Sequence, residues 1–351
     1  MSAPVGYKFS DIIADPVIKE RWEKVRRYFF LRESTYDMSN RCNIRCEGCY
    51  YFIGDKQFAY ENNDPAAWRN LFAAEKKRGI TFVVLAGAEP SLVPQLCAVA
   101  YELIPLGAIA TNGLIPIARE IDYRIHISVW GNDTTSLAIR KAADMLVRQI
   151  ANYKDDPRAV FVYTFTPFNI DEAREVTRLL AENGLQITFN MFSAPTGYTG
   201  ALCHSPESLQ KTREVMHELL LAYPKTVLFS TYNIVAHTAE KGLHDLFSCT
   251  YPRRNPSTDI GLGRSFRQYR TDLQWNRDAA CCVPDTNCDD CRHYAAGSAV
   301  VTARMYRHAT DPLTFSAWLD YVDTYLAVWV RGYEKGPNLC DTFVNPPLNI
   351  S

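Results

Sequence analysis

The chain has 351 residues, 47% of them hydrophobic and 22% charged, with a formal net charge of -1. That length can bury a substantial core, and the near-neutral balance leaves no broad basic field for nucleic acid or an anionic membrane surface. Residues 1–30 lack the apolar core and cleavage pattern of a secretory signal, and no run is long enough to span a bilayer, so a cytoplasmic protein is expected. The chain carries 11 cysteines. Without a signal, and with most of the thiols in two tight runs, metal or redox chemistry is expected rather than disulfides.

Residues 1–32 read as an N-terminal helical extension, and 33–240 as a partial (β/α)6 TIM-like barrel of the α/β class. The first strand falls near ESTYDMSN, with a cysteine run directly after it. A helical pattern, AAWRNLFAAEKKRG, then precedes the strand TFVVLAG, and LVPQLCAVAYEL precedes LGAIATNG. The strand YRIHISVWG leads into the periodic stretch TTSLAIRKAADMLVRQI, which predicts one long helix. AVFVYTFTP, DEAREVTRLLAENG and LQITFNMFSAP complete the alternation. Strands separated by helices of this length imply parallel βαβ units with functional residues at the strand C-termini. Six strand candidates between 33 and 192 are too few for a closed eight-unit barrel, and PKTVLFS is expected to add an edge strand.

Beyond residue 245 the rhythm fails and turn formers dominate. Residues 241–310 are therefore expected to form a small irregular domain stabilised by bound metal, and 311–351 a C-terminal helix and tail. The aromatic stripe of FSAWLDYVDTYLAVWVRGY reads as core. So do Cys97 and Cys203, while Cys340 stands alone.

The first cysteine run places Cys42, Cys46 and Cys49 at spacings of three and two intervening residues. Soft thiolates suit zinc or iron-sulfur, and no histidine follows to complete a zinc set. Three ligands to a four-iron cubane leave one iron open to a non-protein ligand. In this pattern the chain resembles the radical S-adenosylmethionine enzymes, whose three cysteines follow the first barrel strand with these spacings. The resemblance implies a [4Fe-4S] cluster on Cys42, Cys46 and Cys49, with S-adenosylmethionine chelating the open iron and cleaved to a 5′-deoxyadenosyl radical. The family's aromatic residue before the third cysteine is Gly48 here, so the adenine contact is expected to shift to Tyr50. VVLAGAEPSL resembles the family's cofactor-binding turn as Gly87, Ala88, Glu89 and Pro90. At later strand ends Thr111, Asn112, Ser128, Trp130, Thr166 and Asn190 are the implied cofactor or substrate contacts. His126 is expected to face the barrel wall or a neighbouring helix.

The second run comprises Cys249, Cys281, Cys282, Cys288 and Cys291. It resembles the shortened auxiliary-cluster domain called twitch, related to SPASM. That likeness implies a second [4Fe-4S] cluster on Cys249, Cys281 or Cys282, Cys288 and Cys291, with zinc as the alternative. The reaction expected is hydrogen abstraction from a polar small molecule such as a sugar, cyclitol or nucleoside, with net oxidation and a flavodoxin or ferredoxin as reductant. Radical carbon-carbon or carbon-sulfur bond formation, adenosylation and peptide modification remain open. Outside enzymes, an iron-sulfur electron-transfer protein or a zinc-structured interaction protein would also use both runs. No residue is nominated as the proton acceptor.

Overall fold

A computed structural model describes residues 7–53, 59–242, 266–275, 286–294 and 305–340; the side chains of Tyr50, Ile53, Cys288 and Tyr306 are outside it. Short Asp-Pro and Ser-Pro steps start several helices, because the acidic or hydroxyl side chain accepts from exposed N–H groups while proline presets the first helical φ. Asp15 caps α2 (Pro16–Arg26) behind the short α1 (Phe9–Ile12). Asp64 caps α4 (Pro65–Arg78), which Gly79 ends at φ 93, and α3 (Tyr50–Ile53) precedes it. α5 is Pro94–Leu103. The strands are β1 (Glu33–Asp37), β2 (Phe82–Ala86), β3 (Gly107–Thr111), β4 (Arg124–Val129), β5 (Ala159–Phe165) and β6 (Ile187–Met191). They pair in parallel in the order β6-β5-β4-β3-β2-β1, and a two-residue β7 (Gln268–Tyr269) extends the β1 edge.

The six expected strands are all present, and the sheet is the expected open α/β arrangement. PKTVLFS reaches β6 through a single parallel bridge, Ile187 to Val227. The stretch read as one long helix is broken. It runs through α6 (Asp133–Thr135) and a π-helical turn at Ser136–Arg140, then restarts as α7 (Met145–Tyr153). Lys141 and Asp144 take φ values of 59 and 54 at the break. Asp133 accepts from the Leu146 N–H at 2.7 Å and so caps α7 from outside the segment. The remaining helices are α8 (Glu172–Glu182), α9 (Pro206–Ala222), α10 (Thr231–His237), α11 (Met305–His308) and α12 (Pro312–Trp329).

Alternation along the strands sorts residues onto two faces. Val83, Leu85, Ile109, Ile127, Phe161 and Phe189 face α4, α5 and α7–α9. Phe82, Ala108 and Val160 point the other way and meet α12, α2 and α10. α12 is buried from Thr314 to Trp329, as the reading of its aromatic stripe as core requires. Its two acids are matched by donors. Asp323 accepts from Arg21 at 2.8 Å and from the Tyr333 hydroxyl at 2.5 Å, and Asp320 accepts from the Leu339 and Cys340 N–H groups at 2.8 and 2.9 Å. Among the described residues no helix is long and apolar enough to cross a membrane.

Trp318 is 0% exposed at the centre of this packing. Trp318→Ala is expected to lower the unfolding free energy by about 3–5 kcal/mol in chemical denaturation, through lost burial and the cavity left behind.

Candidate active site

The cysteine loop leaves β1 along Met38–Asn40, and its root is fixed by polar contacts. Glu61 accepts from the Asn40 N–H at 2.8 Å, and Asn40 Oδ1 accepts from the Tyr51 and Thr271 hydroxyls at 2.6 and 2.9 Å. Cys42, Cys46 and Cys49 are each half-buried and line one cavity of about 290 Å³ at the carboxyl ends of the strands. Asn112 Nδ2 donates to the Cys42 sulfur at 3.7 Å, and Arg140 Nε to the Cys46 sulfur at 3.5 Å. Burial first, and then the neighbouring Cys46, pushes the Cys49 thiol up to about 11; burial also raises Cys42. Among the described residues no three His, Cys, Asp or Glu side chains form a metal-ligand set, and the three thiols share one cavity.

The turn after β2 packs directly on that root. Met38 N–H donates to the Ala86 carbonyl and Ala88 N–H to the Ser39 carbonyl, at 2.9 and 2.8 Å. Gly87 has φ +114, and a Cβ there would stand 2.9 Å from the Met38 nitrogen and 3.0 Å from the Ser39 carbonyl, so only glycine fits. Glu89 is 1% exposed and accepts from Thr111 Oγ1 at 2.7 Å, the Asn112 N–H at 2.8 Å and the Ser91 N–H at 3.0 Å. Its carboxylate is thus occupied in joining the β2 and β3 ends, and Pro90 is buried beside it.

Among the other expected contacts, Ser128, Trp130 and Asn190 line the cavity. Trp130 packs edge-on against Phe192 at 5.8 Å, and Asn190 accepts from the Tyr294 N–H at 2.9 Å while donating to Thr164 at 3.2 Å. Thr166 lies elsewhere. β5 ends at Phe165, Thr166 is fully buried in the turn held by Asn169, and the cavity positions on this strand are Val162 and Thr164. His126 meets a neighbouring helix as expected, and it also forms part of the cavity floor with Trp329. Its Nε2 lies 2.8 Å from the Val328 carbonyl, which can only accept, so Nε2 carries the proton and Nδ1 accepts from the Tyr294 hydroxyl at 2.8 Å.

Sequence reasoning missed Arg140, Thr164, Tyr294 and Trp329. Thr164 was legible from strand alternation, whereas the others reach the cavity only through tertiary packing. Of the second cysteine run, Cys249, Cys281 and Cys282 lie outside the described residues, as does the Cys288 side chain. Cys291 is buried. The segment carrying it is joined to the loop after β6 by Asn287 N–H to the Ala194 carbonyl and Arg292 N–H to Ser193 Oγ, both at 2.9 Å. His293 and Tyr294 of that segment wall the same cavity.

No protein-family model matches this sequence, and no curated protein does. Among solved structures, Streptococcus suis SuiB bound to S-adenosylmethionine aligns with a TM-score of 0.53 at 16% identity, over 75% of this chain and 64% of that one. A second SuiB structure gives 0.52 at 15% over the same shares. A structure of anSMEcpe with bound AdoMet gives 0.52 at 12% identity, over 81% of this chain and 83% of that one. The chain shares the parallel α/β fold of these structures. It spans just under two thirds of the length of SuiB.

The surroundings of His126 make stability pH-dependent. Burial, opposed by the bond to Val328 and reinforced by Arg124, lowers it from 6.5 to about 3. The unfolded chain therefore takes up a proton near pH 6.5 while the folded chain does not, and this stability is present above 6.5 and lost as pH falls toward 3. His126→Gln is expected to flatten the acid limb of the stability curve by up to about 1.4 kcal/mol per pH unit, measured by denaturation across that range.

Proposed function

We propose that the chain is a radical S-adenosylmethionine enzyme that abstracts hydrogen from a polar small molecule and brings about its net oxidation. The observation that carries this reading is the meeting of three thiols, the glycine turn after β2 and the polar strand ends in one cavity. The local chemistry fits the cofactors. Soft sulfurs suit iron, Asn112 and Arg140 supply hydrogen bonds of the kind a ligating thiolate accepts, and the Gly87–Ala88 turn lines the same cavity, where main-chain groups would meet an ammonium group.

In this reading Cys42, Cys46 and Cys49 hold a [4Fe-4S] cluster, and the turn at Gly87 and Ala88 holds S-adenosylmethionine. Cys249, Cys281 or Cys282, Cys288 and Cys291 hold an auxiliary [4Fe-4S] cluster. When bound, these groups supply one-electron cleavage of the sulfonium, hydrogen abstraction from carbon and an acceptor for the substrate's remaining electron. The protein's own part is placement. Glu89 fixes Asn112 beside Cys42, and Arg140 reaches Cys46 from the π-helical turn. Ser128, Thr164 and Asn190 present polar groups to a sugar, cyclitol or nucleoside, while Trp130, Phe192 and Trp329 keep the rest of the wall dry. The junction of residues 286–294 with the cavity wall supports a second metal site near the substrate. A flavodoxin or ferredoxin supplies the reducing electron.

Replacing Cys42, Cys46 and Cys49 together with alanine is expected to abolish S-adenosylmethionine cleavage while the variant keeps its circular dichroism. Iron and sulfide analysis of anaerobic protein should give about eight iron atoms per wild-type chain and about four in the variant. Cleavage at the wild-type rate by the variant defeats the proposal, and zinc without iron in the distal site defeats its oxidative half.

A further inference from the structure

At the opposite end of the strands from the cysteines, the amino-terminal ends of β4, β5 and β6 open onto a second cavity, of about 1020 Å³. Arg124, the first residue of β4, lines it together with Gln186, the end of α9 and the turn that follows α12. The residue is only 5% exposed. Its guanidinium donates to Gln186 Oε1 at 2.9 Å, the Pro157 carbonyl at 3.3 Å and the Val328 carbonyl at 3.4 Å. All three acceptors are neutral. Val328 lies in the last turn of α12, where the helix end carries roughly half a negative charge, so most of the arginine's charge stays unmatched.

Other buried arginines in this fold meet carboxylates. Arg21 pairs with Asp323 at 2.8 Å, Arg158 with Asp156 at 2.7 Å, and Arg292 with Asp290 at 3.2 Å. Arg140 has its guanidinium on Cys46 in the cavity already described. Arg124 has no carboxylate within 4 Å among the described residues, and the charge acting on it is that of Arg331, a second cation, itself paired with Asp122 at 3.0 Å. Burial and this neighbour push its guanidinium down to about 10. A buried cation with no counterion is costly to the fold, which calls for something further to oppose it. Lys225 and Lys335 also line the cavity, and Glu334, which is exposed, is the one carboxylate among its lining residues. Leu220, Leu221, Leu228 and Tyr333 supply an apolar wall.

We propose that this second cavity is an anion site that takes a small phosphate- or carboxylate-bearing molecule with an apolar portion, Arg124 meeting the anion and the leucines its apolar part. A bidentate guanidinium contact explains a buried arginine without a carboxylate, and the flanking lysines attract the ligand. The site is independent of the radical-enzyme reading, since none of its residues lines the cysteine cavity.

Calorimetric titration of the full chain with phenyl phosphate, benzoate and inorganic phosphate tests it. Saturable binding of an aromatic anion is expected, with phenyl phosphate about tenfold tighter than inorganic phosphate because only the ester reaches the apolar wall. A tighter phenyl phosphate identifies a phosphate ester as the ligand class, and a tighter benzoate a carboxylate. Arg124→Gln should weaken binding by about tenfold or more, and the half-exposed Arg331→Gln by about threefold, with circular dichroism unchanged. No saturable binding to the wild type, or unchanged affinity in Arg124→Gln, overturns the proposal. Should Arg124→Gln not fold, unchanged affinity in Arg331→Gln overturns it instead. Binding that disappears when S-adenosylmethionine is added belongs to the cysteine cavity and also overturns it.

Discussion

One helix seated on one face of a parallel sheet determines where this molecule can do chemistry. Every second residue of each strand points to that face, and α12 covers only part of it. Phe82, Ala108 and Val160 end in contact with the helix. Two residues further along the same strands, Val84, Ala110 and Val162 line the cavity, Val84 at the border where it still packs against the helix cluster. The helix stops at Trp329, and its last turn becomes the cavity floor. Core and site are therefore successive layers on one face, and a one-residue slip of register in any strand would turn both to the opposite face.

Glu89 is the polar counterpart of that packing. A carboxylate 1% exposed would be strongly disfavoured in apolar surroundings, but three donors from Ser91, Thr111 and Asn112 converge on it. Its anchoring has a consequence one residue away. Because the Asn112 backbone is tied to Glu89, the Asn112 side chain is free to reach Asn43 Oδ1 at 2.6 Å and the Cys42 sulfur at 3.7 Å. The acid read from sequence as a cofactor contact is engaged in aligning two strand ends, and through them one thiol.

What sequence could reveal divides along the same line. Strands and most helices follow from local periodicity and from Asp-Pro or Ser-Pro starts, and the cysteine spacing is a short-range signal. The break at Lys141–Asp144 is not, since Ile139, Met145 and Leu146 remain buried on both sides of it and the apolar rhythm continues. β7 has two residues in a region without strand rhythm, and it exists because Thr35 N–H finds the Arg267 carbonyl at 2.9 Å. The pattern of the sequence puts Thr166 at a strand end, but the strand stops one residue earlier and Thr164 is the polar residue of that strand in the cavity. Arg140 and Tyr294 became visible only when distant segments closed on the sheet.

One carbonyl joins a residue of each cavity. The Val328 carbonyl accepts from His126 Nε2 on the side of the thiols and from Arg124 Nε on the other, at 2.8 and 3.4 Å. Both donors come from β4, two residues apart, so both point to the same face. The Arg124 charge is one of the influences that keep His126 neutral, after burial. An anion bound to Arg124 would cancel part of that field and draw guanidinium hydrogen bonds toward itself, leaving the carbonyl more fully to the imidazole. Charge at the lower end of β4 would in this way bear on the protonation of a side chain in the floor of the upper cavity, through one shared carbonyl acceptor.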